Sequence, residues 1–268
     1  MVTKALSGRN VWITGASSGI GLELSLLAAE AGARLTLFSS RKDALAEAAR
    51  LCMVKGAASV HFEPVDLADI EAAASVSRSV LTSSGAPDYL ILNAGVSQRS
   101  FAGETDLDVT KKILNLNFFA AVAMARTVLP SMVERGGGRI GVTTSVTGVF
   151  GAPLRSSYAA SKHALKGYFE SVSLEYARRN IKVTLAVPGY IRTQISRKSL
   201  AADGSSHGKM DGKQEKGMDP LTCASRYWKA VIRGKREVLI GRFELIMVHT
   251  YRYLPFLYHF LGTRISPV

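Results

Sequence analysis

Cysteine is scarce in this sequence: only Cys52 and Cys223 occur among 268 residues, and they lie far apart. No cysteines and histidines are grouped with the spacing of metal ligands, so we predict no metal site and treat the five histidines as structural. A fold built on disulfides is excluded, and a reducing compartment is favoured.

The amino terminus lacks an apolar segment of signal-peptide length. We therefore expect an intracellular protein, either cytoplasmic or peripherally associated with an internal membrane, and not a secreted one.

Acidic residues are also few, with 21 Asp and Glu against 34 Lys and Arg, a formal charge of +13. Up to Gly189 the chain has 20 basic and 15 acidic residues, and from Tyr190 onward it has 14 and 6. This excess predicts an anionic partner for the last third, such as phospholipid or an acidic substrate group. Simple solubility is the alternative. Nucleic acid is not expected, because the basic residues carry no recognition motif.

Strand-like and helix-like segments alternate along the chain, which predicts an α/β fold: a mostly parallel sheet of about seven strands with helices on both faces, in one domain, 1–240. The predicted strands are 10–14, 34–38, 59–63, 89–92, 140–144, 181–187 and 237–240. The predicted helices are 20–30, 43–54, 70–83, 107 to about 135, and 157–176.

A glycine-rich turn follows the first predicted strand and opens a helix. In this position Gly15 permits a tight turn, Gly19 lets the backbone approach a pyrophosphate, and Gly21 allows close packing of the helix on the sheet. We predict dinucleotide binding by the whole turn, which comprises Thr14, Gly15, Ser17, Ser18, Gly19, Ile20 and Gly21.

The residues after the second strand decide which dinucleotide is expected. An acidic side chain there usually holds a ribose 2′-hydroxyl, whereas a 2′-phosphate needs cations or hydroxyl donors. This chain has Ser39, Ser40, Arg41 and Lys42, and its first acid is Asp43 at a helix start. NADP(H) is therefore the predicted cofactor. The alternative is that Arg41 and Lys42 only solvate the start of the helix.

The stretch 143–167 carries the predicted chemistry. Ser145 ends a strand, and Tyr158 and Lys162 are four residues apart on the following helix, so they share one helix face. A nearby cation favours the phenolate, which would make Tyr158 a general acid or base, and Ser145 can hold the same substrate oxygen. The alternative is an ordinary surface pair of Tyr and Lys.

The order and spacing of these motifs over about residues 8–195 resemble the short-chain dehydrogenase/reductase family. The resemblance rests on the glycine turn, Asn93-Ala94-Gly95, Asn117, Ser145, Tyr158, Lys162, Pro188, Gly189 and Thr193. It implies a Rossmann-type domain with a doubly wound parallel sheet, in which Tyr158 transfers a proton and a nicotinamide gives or takes hydride. It also implies that Ser145 holds the substrate carbonyl, that Lys162 binds the nicotinamide ribose and lowers the pKa of Tyr158, and that Asn117 holds a water of a proton relay.

The resemblance further implies that the cofactor contacts three segments. It also implies a homodimer or tetramer formed through the helices after the fourth and fifth strands. Asp66 and Leu67 would lie near adenine, Asn93 near its ribose with Ala94 and Gly95 alongside, and Pro188, Gly189, Ile191 and Thr193 over the nicotinamide amide.

The later half also resembles a membrane-associated branch of that family, which includes reductases of acyl- and alkyl-dihydroxyacetone phosphate and is near the hydroxysteroid dehydrogenases. The resemblance rests on segments 201–205, 208–211 and 217–220 followed by an apolar tail. It implies a hydrophobic, lipid-like or steroid-like carbonyl substrate.

Two segments flank this substrate region. The polar stretch 194–219 is predicted to be a mobile substrate loop, with a plain connector as the alternative. The tail 241–268 has an apolar helical stripe between Phe243 and Leu261, interrupted at Pro255, and contains too many polar residues for a membrane span. Peripheral membrane contact through 243–261 is one prediction, and a flap over the pocket or the partner subunit is the other.

Taken together, the sequence predicts an NADPH-dependent oxidoreductase that interconverts a small-molecule ketone and secondary alcohol. Its predicted catalytic residues are Asn117, Ser145, Tyr158 and Lys162. The alternative is a dinucleotide-sensing or membrane-scaffold protein whose catalysis has lapsed.

Overall fold

Seven strands and the helices between them form one three-layered α/β unit in the computed structural model, which describes residues 2–264. Met1 and residues 265–268, at the ends of the predicted ranges 1–240 and 241–268, lie outside the described residues. The strands are β1 Asn10–Thr14, β2 Arg34–Ser39, β3 Ser59–Pro64, β4 Tyr89–Leu92, β5 Gly138–Thr143, β6 Ile181–Pro188 and β7 Glu237–Ile240.

The helices are α1 Val2–Leu6, α2 Gly19–Glu30, α3 Lys42–Val54, α4 Ile70–Ser84, α5 Leu107–Leu114, α6 Ala120–Glu134, α7 Ser156–Glu175, α8 Gly212–Glu215, α9 Pro220–Arg233, α10 Leu245–Tyr253 and α11 Pro255–Gly262. Short 3₁₀ turns follow β5 and α7, at Val146–Gly148 and Ala177–Arg179.

The strands pair in the parallel sense in the order β3-β2-β1-β4-β5-β6-β7. The predicted seven-stranded, doubly wound sheet is therefore confirmed. The strand order reverses between β1 and β4, and in such sheets ligands bind outside the carboxyl ends of the strands at this switch point. That edge is where the glycine turn and the predicted catalytic residues emerge.

Two apolar cores cover the two faces of the sheet. Successive side chains of a strand point to opposite faces, so Val11 and Ile13 of β1 join one core with α2 and α9, whereas Trp12 joins the other with α4, α6 and α7. The run Leu107–Glu134 is long and apolar enough to span a membrane by length and composition. Its α6 part packs in the second core, and Val109 and Ile113 of α5 pack in a smaller apolar cluster, as in a core helix.

Several features differ from the sequence-based boundaries, among them the short helices α1 and α8, which were not predicted. β5 ends at Thr143, so Ser145 follows the strand after one intervening residue. The predicted helix from 107 to about 135 contains a π-helical turn at Asn115–Phe119. Helix α9 was not predicted, although its Asp219 cap, which accepts from the Thr222 amide, and its closing Gly234 are ordinary helix signals.

Candidate active site

The cleft at the carboxyl edge of the sheet has a volume of about 280 Å³ and brings most of the predicted residues together. Its lining includes twenty residues named from the sequence: Gly15, Ser17, Ser18, Gly19, Ile20, Ser39, Ser40, Arg41, Asp66, Leu67, Asn93, Ala94, Gly95, Ser145, Tyr158, Lys162, Pro188, Gly189, Ile191 and Thr193. Four predicted residues, Thr14, Gly21, Lys42 and Asn117, do not line it. Thr14, Gly21 and Asn117 support the lining from behind, and Lys42 begins α3 at the surface.

The glycine turn has the close packing that a pyrophosphate site requires. Gly15 and Gly19 have φ values of +67° and +57°, which favour glycine. A Cβ on Gly21 would lie 2.2 Å from the carbonyl oxygen of Gly15, so α2 approaches the turn too closely for any side chain. The hydroxyl of Ser18, at the N-cap position, accepts from Arg41 instead of an amide of α2. The Ser18 side chain thus leaves the first amides of α2 uncapped, and Gly19 and Ile20 line the cleft, where these amides could bind an anion.

Thr14 fixes the neighbouring wall of the cleft. Its Oγ1 accepts hydrogen bonds from the amides of Asn93 and Ala94, at 2.8 and 2.9 Å. This side chain therefore ties the end of β1 to the loop after β4.

Hydroxyl and guanidinium groups occupy the corner at the end of β2. The Oγ atoms of Ser17 and Ser39 are 2.7 Å apart, and Nη2 of Arg41 donates to the hydroxyls of Ser17 and Ser18 at 2.9 and 2.8 Å. Lys198 also lines the cleft, and its pKa is lowered by burial and by the charge of Arg41. Sequence analysis missed Lys198, because it lies in the stretch that was interpreted as a loop over the substrate.

Ser145 and Tyr158 meet within the cleft. Each is 8% exposed, both side chains line the cleft, and the Ser145 hydroxyl accepts from the amide and the hydroxyl of Thr147 at 3.2 and 3.0 Å. Burial raises the pKa of Tyr158, while Ser145, Arg155 and Arg99 lower it. The two arginines were not identified from the sequence. An ordinary surface pair is excluded, since Tyr158 and Lys162 are both buried.

Lys162 lies deep beneath Tyr158. Its Nζ is 5.7 Å from the centroid of the Tyr158 ring and donates to the Thr143 carbonyl at 2.8 Å. Burial lowers the pKa of Lys162 to about 7. The folded chain therefore disfavours the charged amine, and its expected effect on the phenol remains a prediction.

Asn117 belongs to the π turn between α5 and α6. Its Oδ1 accepts from the Val96 amide at 2.8 Å, and its Nδ2 donates to the Val96 carbonyl and to Ser161 Oγ at 3.0 and 2.9 Å. Asn117 thereby joins the loop after β4 to α7, which carries Tyr158. The predicted role in a proton relay is not tested by these contacts.

Gln98 holds the amino end of the catalytic helix. This fully buried side chain accepts at Oε1 from the amides of Ser157 and Tyr158, at 2.8 and 3.4 Å. Its Nε2 donates to Thr105 Oγ1 at 2.8 Å. Sequence analysis missed this cap, because Gln98 lies about 60 residues before the helix that it caps.

The tail packs beside the cleft. Tyr258 contacts Phe150 with ring centroids 5.2 Å apart and donates to the Gly151 carbonyl, so α11 covers the loop that follows Ser145. At the start of α10, Glu244 accepts from the amide of Tyr190 at 2.9 Å, next to the predicted nicotinamide segment. The break predicted at Pro255 is present between α10 and α11.

The chain is similar in sequence to a family of known proteins. Residues 9–204 match the model of the short chain dehydrogenase family. A Dehydrogenase/reductase SDR family protein 7-like of Anopheles gambiae is 41% identical over 241 residues, which cover 88% of this chain and 76% of that protein.

Two solved structures have the same fold. A short chain dehydrogenase/reductase from Burkholderia phymatum in complex with NAD has a TM-score of 0.83 at 21% identity, covering 98% of this chain and 97% of that one. An alcohol dehydrogenase from Thermococcus sibiricus complexed with 5-hydroxy-NADP has a TM-score of 0.74 at 23% identity, covering 88% and 97%.

Proposed function

This chain belongs to the short-chain dehydrogenase/reductase family, and from that premise we propose that it is an NADPH-dependent oxidoreductase interconverting a ketone and a secondary alcohol. The observation that carries the proposal is that Ser145 and Tyr158 are both buried and both line one cleft at the switch point of the sheet. A buried phenol and hydroxyl that converge on one cleft can bind and protonate a carbonyl oxygen.

In this mechanism Ser145 donates a hydrogen bond to the substrate oxygen and fixes it beside the phenol. Tyr158 gives its proton to that oxygen during reduction and takes one back during oxidation. A bound nicotinamide dinucleotide supplies or accepts the hydride. The low pKa of Lys162 and its position beneath the phenol suit it to return the proton that Tyr158 loses.

The residues around the glycine turn fit the dinucleotide. The open amides of α2 would hold the pyrophosphate, and Asp66 and Asn93 would line the adenosine end of the cleft. The 188–193 segment would cover the nicotinamide end.

The preference for NADPH is supported by the end of β2. Ser39 stands where an acid would hold a ribose 2′-hydroxyl, and Arg41 and Lys198 place two cations beside it. A hydrogen bond to a charged group is worth about 1.5–3 kcal/mol, so Arg41→Ala should weaken NADPH binding by roughly 10- to 100-fold and NADH binding far less. The exposed Arg50→Ala variant is the control. Equal losses for both cofactors would contradict the preference.

Tyr158→Phe tests the activity itself. The variant should bind NADPH as the wild type does, measured by nicotinamide fluorescence, and should lose turnover on a panel from small ketones to steroids and acyl-dihydroxyacetone phosphate. Tyr176→Phe, at the far end of α7, is the matched control and should remain active. If the wild-type protein binds NADPH tightly but reduces nothing in the panel, the sensing or scaffold function replaces this proposal.

The proposed substrate is hydrophobic and lipid-like or steroid-like. Support comes from apolar side chains that line the cleft, including Val96, Val146 and Ile195. Within one ketone series, kcat/KM should therefore rise with chain length, and a flat series would contradict this substrate class.

The tail has an outward face that supports peripheral membrane contact. Phe243 and Phe256 are 85% and 90% exposed, and Ile246, Leu254 and Phe260 are also more than half exposed. Exposed aromatic side chains flanked by the basic residues Arg242 and Arg264 suit the surface of an anionic membrane.

A flotation assay with anionic vesicles tests this contact. The wild-type chain should float with the vesicles, whereas Phe243→Glu/Phe256→Glu should remain in solution. Val54→Glu places the same charge at a 74% exposed apolar position on α3 and serves as the control. If the wild-type chain does not float, the outward face is better explained as a subunit contact.

We also propose a homo-oligomer formed through α6 and α7, and an intracellular location, cytoplasmic or on an internal membrane. Leu174 on α7 is 71% exposed and would be covered in such an assembly. Light scattering should give a multiple of the 28.8 kDa chain mass, and Leu174→Glu should reduce it. A wild-type monomer would contradict the oligomer, and cell fractionation tests the location.

A further inference from the structure

A charged triad lies at the substrate end of the cleft. Arg99 follows β4, Arg155 precedes α7, and Asp211 belongs to the 194–219 segment. Oδ2 of Asp211 accepts from Nη2 of Arg99 at 2.7 Å and from Nη2 of Arg155 at 2.8 Å. Both arginines line the same cleft as Ser145 and Tyr158.

The triad has an excess of positive charge close to the reacting groups. Two guanidinium groups share one carboxylate oxygen, and both arginines lower the pKa of Tyr158, as expected for cations near the phenol. Arg99 is nearly buried, with a side chain 6% exposed, while Arg155 is 18% exposed. Burying a cation is costly unless it is fully paired.

One donor of the triad is unsatisfied. Among the described residues, the buried Nε of Arg99 has no hydrogen-bond acceptor, although its Nη1 donates to Ser97 Oγ and to the Gln98 carbonyl. A guanidinium group is suited to planar oxyanions, which accept two parallel hydrogen bonds. Asp211, at 34% exposed, is the most accessible member of the triad.

We propose that Arg99 and Arg155 form a binding site for an oxyanion of the substrate, either a carboxylate or a phosphate ester, and that Asp211 is the counter-ion which this group displaces. The inference rests on the proposed function, because it places the ketone of the same molecule at Ser145 and Tyr158. The competing explanation is that the triad only fastens the 194–219 segment over the cleft.

Matched ketones separate these two explanations. The substrates are 9-oxodecanoate, 9-oxodecyl phosphate and methyl 9-oxodecanoate, together with 4-oxopentanoate and its methyl ester. The wild-type enzyme should prefer at least one oxyanion ketone over the methyl ester of the same chain length by tenfold or more in kcat/KM. Arg155→Gln should reduce that ratio by roughly 10-fold, mainly through KM, whereas Arg197→Gln, an exposed arginine of the same segment, should leave it unchanged. An equal loss on oxyanion and ester in Arg155→Gln would overturn the proposal.

Asp211→Asn should change KM for the oxyanion ketone in opposite directions under the two explanations. If Asp211 is a displaced counter-ion, its removal should lower KM for the oxyanion ketone. If Asp211 is a fastener, the variant should raise KM for acid and ester alike, and that result would overturn the proposal.

Direct binding keeps the inference separate from the proposed activity. Titration calorimetry with octanoate, octyl phosphate and 1-octanol needs no turnover. We expect octanoate or octyl phosphate to bind at least tenfold more tightly than 1-octanol, and Arg155→Gln to remove the difference. The tighter of the two anions identifies the oxyanion. If neither binds more tightly than 1-octanol, the oxyanion site is excluded, whether or not any ketone is reduced.

Discussion

Lys162→Met should make the cofactor-free protein more stable at neutral pH while impairing its activity. Burial lowers the pKa of Lys162 from 10.5 to about 7, so the folded chain disfavours the charged amine. This gap corresponds to about 5 kcal/mol of unfolding free energy. Methionine has a similar length and no charge, and it removes this penalty.

The loss of one hydrogen bond offsets part of this gain. Nζ of Lys162 donates to the Thr143 carbonyl at 2.8 Å, and leaving a buried acceptor without its donor costs about 1–3 kcal/mol. We therefore expect the variant to exceed the wild type by roughly 2–4 kcal/mol at pH 7.

The sign of the pH dependence follows from proton binding. Between about pH 7 and pH 10.5 the unfolded chain holds a proton on Lys162 that the folded chain has lost, so wild-type stability rises with pH across this window. The advantage of the variant should shrink by about 1.4 kcal/mol per pH unit and disappear between about pH 8.5 and pH 10.

Urea denaturation of the cofactor-free protein at pH 7, 8, 9 and 10 measures this difference. Other titrating groups are common to both proteins, so the difference between the two curves isolates Lys162. Lys166→Met, one turn further along α7 and paired with Glu170, is the matched control. Its unfolding free energy should change with pH in the same way as that of the wild type. If the unfolding free energies of Lys162→Met and the wild type change with pH in the same way, the reasoning is refuted.

Three further predictions concern packing and reactivity. Gly21→Ala should abolish soluble expression or lower stability by about 3 kcal/mol or more, because its Cβ would overlap the carbonyl of Gly15 in the glycine turn. Gly167→Ala, with open space at its Cβ, is the control and should stabilise α7 by about 0.5–1 kcal/mol. Similar yields and melting temperatures for the two variants would contradict the prediction. Gln98→Leu should cost about 1–2 kcal/mol and lower kcat more than it changes KM for NADPH, as steady-state kinetics can test, because the catalytic helix loses its cap. Burial raises the pKa of both Cys52 and Cys223 to about 12, so a thiol reagent at pH 8 should label neither until urea is added; labelling of the native protein would show that the cysteines are accessible.

Local patterns in the sequence predict the sheet well. The bounds of β1, β4 and β7 agree with their predicted ranges, because each is a short apolar run enclosed by polar or glycine residues. The glycine turn and the spacing of Tyr158 and Lys162 were also readable, since each lies within one turn or one helix face.

Contacts between residues far apart in the sequence could not be predicted from local patterns. Arg99, Arg155 and Asp211 come from three segments separated by 56 residues or more and meet only when the sheet forms. Gln98 likewise caps a helix that begins far along the sequence. The side chains themselves are ordinary polar residues in loops, and nothing local in the sequence relates them to Tyr158.

The π turn at 115–119 constrains the number of residues between α5 and α6 more than it constrains which residues they are. It accommodates one residue more than a regular α-helix would use over the same span, and each α-helical residue adds 1.5 Å and a rotation of about 100°. Deleting one residue from 115–119 would turn α5 and α6 relative to each other and carry Asn117 away from Val96, even if every remaining side chain were kept. Substitution at the outward Phe119 should be tolerated far better than a change in residue count, so insertions and deletions here are expected to be rarer than substitutions.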